Sequence, residues 1–273
     1  MASLSISRAW EETKARIAAD GKLMAVVAAA LMVLPGAIVE VVSPGGAASQ
    51  SSLTYKLLFL ASSLLALIGQ LSIIHLAVQP SVSVGEAIVH GAKRMPIYLL
   101  AGVLLTIAFF IALIPLALIL YASGVPIEEG NEQALLQSPI ALLLTFVYFV
   151  FVVFVAIRMI LSSPVASEEG AGPVQILRRS WDLTSGHWWR LFGFIIIFII
   201  GALVVMTAVN LGVSSIAVAL FGPIDPMSLS ALVIGLFDSV VSAAVTVFLA
   251  VMLARIYLQV AGRDGVSVPK SGT

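Results

Sequence analysis

Long apolar runs alternate with short polar connections along the whole chain. Six stretches, roughly residues 22–42, 53–78, 96–122, 139–161, 189–212 and 232–260, are long and apolar. A helix crossing the hydrocarbon core needs about 20 mostly apolar residues. Lipid offers no partner to an unpaired backbone N–H or C=O, so each stretch is predicted to be a helix. Pro96 and Pro139 stand at span starts, where a missing N–H costs little. Pro35 and Pro115 lie late in spans one and three, where they are predicted to kink or end the helix. The run Leu23 to Val42 follows Glu11, Glu12 and Asp20 and exceeds the core of a signal peptide, so it reads as an uncleaved first span.

A different periodicity precedes spans one, three and five. In the third connection Val174, Leu177, Trp181 and Trp188 recur at helical spacing, opposite Gln175, Arg178, Arg179 and Asp182; Pro173 can start this helix and Gly186 can end it. In the second, Val84, Ile88, Ala92 and Met95 oppose His90, Lys93 and Arg94. In the first, Ile6, Trp10, Thr13 and Ile17 oppose Arg8, Glu11, Glu12 and Lys14. Helices of this kind lie in the membrane interface with the apolar face down. The chain thus reads as one unit used three times: interfacial helix, span, span. The ends of the even-numbered spans echo one another in Ile74-His75-Leu76, Ile157-Arg158-Met159 and Ala254-Arg255-Ile256. The predicted fold is an all-α polytopic bundle of six transmembrane helices with short amphipathic interfacial helices. It is a single membrane domain over 1–273, with repeat units of about 1–80, 81–165 and 166–262 and a flexible tail at 263–273. The pseudo-axis would run along the membrane normal.

Composition sharpens this picture. The chain is 60% hydrophobic and 10% charged, against roughly 25% charged in soluble domains, so lipid must be the solvent for much of it. Net charge is zero, but its distribution is uneven. Arg8, Lys14, Arg16, Lys22, Lys93, Arg94, Arg158, Arg178, Arg179, Arg190, Arg255, Arg263 and Lys270 fall on one side of a six-span arrangement and only Lys56 on the other. The opposite loops carry Glu128, Glu129, Glu132 and Asp225. The excess of Lys and Arg places both termini in the cytoplasm. With no cysteine, disulfides, thiolate metal sites and cysteine nucleophiles are excluded. His75, His90 and His187 lie far apart and show no ligand spacing, so no metal and no cofactor is expected.

The stretch from Gly172 to Gly193 contains Arg179-Ser180-Trp181-Asp182-Leu183-Thr184-Ser185-Gly186, with Glu168, Glu169 and Gly170 just before it. It resembles the bacterial glycerophosphoryl diester phosphodiesterase membrane-domain family and its YciC-like relatives. That family shows an acidic-Gly segment, an Arg-Ser-Trp-x-Leu-Thr-x-Gly motif and a Trp/Arg-rich lead into the next span. The resemblance implies a bacterial inner-membrane protein. It does not carry enzyme activity with it. The catalytic barrel fused to some members needs roughly 250 residues of alternating strands and helices, and nothing outside the spans is long enough.

Three groups of residues could carry chemistry. Arg178, Arg179, Trp181, Trp188, Trp189 and Arg190 form a basic-aromatic cluster suited either to anionic lipid headgroups or to ordinary interfacial anchoring. His75, Arg158 and Arg255 would form a basic ring around the pseudo-axis, unless they snorkel to the interface. Asp238 is a carboxylate inside an apolar stretch, where such groups mark proton or substrate paths. Facing the axis it would sit with Ser239 and Ser242; at the outer interface it would be idle. Asn210 and Gln70 read as interhelical hydrogen bonders, and no pair of glycines falls four apart. No nucleophile elbow, phosphate-cradling loop or His-Glu metal motif is present. The expected function is non-enzymatic: binding or moving lipid-like or amphipathic molecules at the cytoplasmic membrane. The alternative is a structural or assembly factor that docks another membrane protein. Membrane lipids are the expected partners, and nucleic acid is not one.

Overall fold

Serine side chains start four of the helices. Ser5, Ser83, Ser138 and Ser228 each accept a backbone N–H three residues on, satisfying donors that the first turn leaves open. At Ser83 the cap is reciprocal, since Glu86 accepts in return from the Ser83 N–H and hydroxyl. A computed structural model describes residues 4–44, 52–123 and 138–262 of the chain. The acidic residues Glu128, Glu129 and Glu132 and the tail 263–273, with Arg263 and Lys270, lie outside them. Helix α1 (Ile6–Ala28) continues through a π-helical turn, Ala29–Val33, into α2 (Leu34–Val42). Then follow α3 (Leu53–Val78), α4 (Val84–Ala122), α5 (Pro139–Arg158), α6 (Ser162–Glu168), α7 (Pro173–Thr184), α8 (Trp188–Phe221) and α9 (Leu229–Val260).

Among the described residues there are six helical stretches long and apolar enough to span a bilayer, and the chain is a multi-pass, all-α membrane protein. The joints between the polar segments and the apolar runs that follow them differ. In the first two units the interfacial segment runs straight into its span as one helix. Helix α4 has 39 residues, roughly 58 Å at 1.5 Å per residue. That is about twice the hydrocarbon thickness, which leaves length for its first turns to stand in the interface. Pro96 is therefore inside a helix rather than at a start, and Pro115 does not end it. Pro35 does not end its helix either: the π turn just before it widens the backbone where the ring would meet the preceding turn. Only the third interfacial segment, α7, is a separate helix. It begins at Pro173 and breaks from α8 at Gly186, whose φ of 83° suits glycine. The short helix α6 was not predicted; Pro164 lies inside it.

Both described ends of the chain meet. The Ser5 N–H donates to the Gln259 Oε1 at 3.1 Å, so the two termini share one end of the bundle. The dense core lies at this end. Leu71, Ile73, Ile74 and Leu76 of α3, Val251, Met252, Ile256 and Tyr257 of α9, and Ala9, Leu161, Val165, Ile176 and Leu191 are all almost wholly buried. The opposite end holds Lys56 and the far halves of the spans, whose large side chains are mostly exposed, Phe110, Phe146 and Phe149 among them.

Candidate functional site

The motif residues of α7 face the end of α5. Ser180 Oγ and Thr184 Oγ1 donate to the Arg158 carbonyl at 2.8 and 3.3 Å, satisfying an acceptor that the last turn of α5 leaves open. The Arg158 guanidinium lies 5.4 Å from the Phe154 ring centre and 5.1 Å from that of Trp181, and donates to Ser185 Oγ. Leu183 is buried. The Arg-Ser-Trp-x-Leu-Thr sequence is thus a clamp that seats an interfacial helix on the preceding span. Arg179 is held on Glu169, both of whose oxygens stand 3.2 Å from its Nε. Arg190 donates to the Leu4 carbonyl, and the Trp188 indole N–H to the Phe154 carbonyl. Arg178 is exposed, and Trp189 is 77% exposed.

Each member of the expected basic ring answers a different local acceptor. His75 Nδ1 pairs with Glu168 Oε1 at 2.9 Å. Arg158 stays with Trp181. Arg255, almost wholly buried, donates to the Ala77 carbonyl at 2.8 Å, beside Arg16, which donates to the Leu76 and Gln79 carbonyls. These carbonyls belong to the last turn of α3 and its cap, where bound cations also complement the helix dipole.

Around Glu168 and Glu169 a polar network crosses four helices. Glu168 Oε1 accepts from Ser167 Oγ as well as facing His75, and Tyr257 donates to Glu169 Oε1 at 2.9 Å. The His75 and His90 rings stack with centres 3.8 Å apart and planes 7° from parallel. The two histidines that showed no ligand spacing along the chain are therefore neighbours in space, a correction that follows from α3 and α4 packing antiparallel through the turn at 79–83. Glycine makes this approach possible. A Cβ at Gly91 would stand 2.6 Å from the Ile68 carbonyl oxygen and closer still to Ser72 Oγ. This is small-residue packing without a GxxxG pattern.

Two cavities flank α9. One is an apolar lateral groove of about 820 Å³. Ile6 and Trp10 at the start of α1, Phe194, Phe198 and Gly201 of α8, and Phe248 of α9 shape it. The other, of about 480 Å³, lies in the far half. It is the more polar of the two: Glu40, Asp238 and Gln70 line it with the hydroxyls of Ser62, Ser63, Ser239, Ser242 and Thr246, and among the described residues no basic side chain does. Asp238 is half-buried and lines this open cavity with Ser239 and Ser242, between α2, α3 and α9. Glu40 was not anticipated as its companion. It comes into place because α2 and α9 pack closely at two glycines: a Cβ at Gly36 would stand 3.0 Å from Ser239 Oγ, and one at Gly235 would stand 2.8 Å from Glu40 Cβ. The available signal was an acidic residue one turn after a glycine near the end of the first apolar run. Gln70 lines the same cavity and Asn210 lines a neighbouring one with Glu40.

A family model described as a domain of unknown function, DUF7847, matches residues 5–260, and the chain belongs to that family. No curated protein and no solved structure matches it.

Proposed function

We propose that this member of the DUF7847 family is a non-enzymatic protein that binds or moves lipid-like or amphipathic molecules at the cytoplasmic membrane. The observation that carries this reading is the pair of cavities flanking one helix. Residues Ala244, Val245 and Phe248 of α9 line the apolar groove, while Asp238, Ser239, Ser242 and Thr246 of the same helix line the polar cavity. The groove supplies the apolar walls that a tail needs, and the cavity across α9 supplies the convergent polar groups that a head needs. Both volumes fall within the range of about 300–1,000 Å³ usual for small-molecule sites. The Asp238 carboxylate in the polar cavity suits a head bearing positive charge.

The basic-aromatic face plays a separate part in this proposal. Arg178, Trp189 and Arg190 sit the protein on the anionic cytoplasmic surface, with most of the other basic groups held by the fold itself. Both termini are then cytoplasmic. A reporter fused after Gly170 is expected to stay in the cytoplasm and one after Ser228 to be exported; the reverse result would invert the orientation. Kinship with the phosphodiesterase membrane-domain family belongs to the same proposal and rests on the shared α7 motif.

The groove gives a direct test. Gly201 lines it, and a Cβ added there would meet nothing within 4 Å, so Gly201→Trp fills the groove without crowding its neighbours. The wild-type protein in nanodiscs is expected to retain a fluorescent single-chain alkyl amine, and Gly201→Trp to lose at least roughly tenfold in affinity, since a few lost methylene contacts suffice for that at about 0.8 kcal/mol each. Asp238→Asn, which removes the head contact, is expected to weaken the amine but not an uncharged alkyl analogue. Unchanged binding in both variants would overturn the reading.

A further inference from the structure

We propose that His75, His90 and Glu168 form a transition-metal site at the termini end of the bundle, one that takes a divalent ion of the zinc, cobalt or nickel class. The three side chains come from α3, α4 and α6, and each offers one ligand atom within 4.8 Å of the other two. Two imidazoles and a carboxylate are a donor set that such ions accept, and the absence of cysteine leaves nitrogen and oxygen as the available donors. His75 Nδ1 and Glu168 Oε1 stand 2.9 Å apart. That is close to the roughly 3.3 Å between neighbouring donors around a tetrahedral ion with bonds of about 2.0–2.1 Å.

The His75 and His90 rings stack 3.8 Å apart with planes 7° from parallel, so one ring must turn for both in-plane lone pairs to meet one ion, and the groups around them favour that arrangement. His90 Nε2 lies 2.7 Å from the Ser167 carbonyl oxygen, which can only accept. His90 therefore carries its proton on Nε2 and keeps a lone pair on Nδ1, the fixed tautomer that a metal-binding histidine needs. Ser167 Oγ donates to Glu168 Oε1 and also reaches the Leu71 carbonyl, so the carboxylate is oriented from behind. The Glu168 side chain is only 4% exposed. Access exists as well: His75 and His90 both line a cavity of about 690 Å³, together with Ser81, Glu86 and Lys93. Holding the ends of α3, α4 and α6 together, a bound ion would brace the dense end of the bundle. This site is independent of the groove and the polar cavity.

The test uses the full chain, purified through a tag without histidine, stripped with a chelator and titrated with Co²⁺ or Zn²⁺. One ion per chain is expected, with the visible absorption of a Co²⁺ site of nitrogen and oxygen ligands. His90→Gln and His75→Gln are each expected to weaken binding by roughly 100-fold or more, the upper end of what loss of even an outer partner costs. His187→Gln, which changes the remaining histidine, should bind like the wild type. Absence of stoichiometric binding to the wild-type chain would overturn the proposal without reliance on any variant, and so would equal affinity in His75→Gln and His187→Gln.

Discussion

The two ends of the bundle are built differently. At the termini end Tyr257, Ile256, Leu71, Ile74 and Met24 are fully buried, and several polar groups are tied across helices: Tyr257 to Glu169, Glu168 to His75, and Arg255 to the Ala77 carbonyl, though Arg255 Nε and Gln259 Nε2 find no partner among the described residues. At the far end Phe110, Phe146, Phe149 and Tyr121 lie exposed, and the polar residues line a cavity. The difference teaches where lipid replaces protein as the solvent. Lipid tails are as apolar as leucine, so spans need not pack tightly for their apolar faces to be satisfied. Interfacial segments carry charges and free helix ends that lipid cannot satisfy, so they fold onto the span ends and bring a core with them.

The sharpest way to break this comparison is to cut one large side chain at each end. Tyr257→Ala is expected to cost roughly 3–5 kcal/mol, as for other buried aromatic residues, while Phe149→Ala, at a side chain 62% exposed, should stay within about 0.5 kcal/mol. Denaturation of both variants in the same detergent micelle measures the pair, and equal losses would erase the distinction between the ends.

A smaller effect separates two glycines of one helix. Gly91→Ala drives a methyl group into Ser72 and the Ile68 carbonyl, whereas Gly102→Ala meets nothing within 4 Å. The first should lose roughly 1–3 kcal/mol by overpacking, and the second should be neutral or gain up to the roughly 0.8–1 kcal/mol by which alanine exceeds glycine in a helix interior. The shift in thermal midpoint between them sharpens where the tight zone stops along α4.

The smallest effect concerns the surface of the dense end. Arg178 is exposed, so Arg178→Glu should leave stability unchanged. It should still weaken association with anionic vesicles, by about 1 kcal/mol for the basic residue lost. Arg179→Glu should cost more, since it also sets a second carboxylate against Glu169. Flotation with anionic and neutral vesicles compares the two. An equal response would mean that the Glu169 pair contributes nothing to the surface.

Hydropathy alone determined the number and placing of the spans, because a bilayer imposes one length and one polarity on every crossing. The third span pair begins at Trp188 and ends at Val260, close to where the apolar runs begin and end. Helix signals were equally local: Pro173 starts α7 and Gly186 stops it, since both act through their own backbone. The positions of Arg158 and Arg255 near span ends were also legible, but not what they touch. Their partners, Trp181 and the Ala77 carbonyl, are 23 and 178 positions away. Separation in sequence likewise hid that His75 meets His90 and Glu168, and that Asp238 and Glu40 line one cavity. Periodicity reports the face a residue occupies on its own helix. Which faces meet was decided by close approach at Gly91, Gly36 and Gly235, where a missing Cβ lets one helix sink into another. That choice depends on the whole bundle, so it exists only in the tertiary structure.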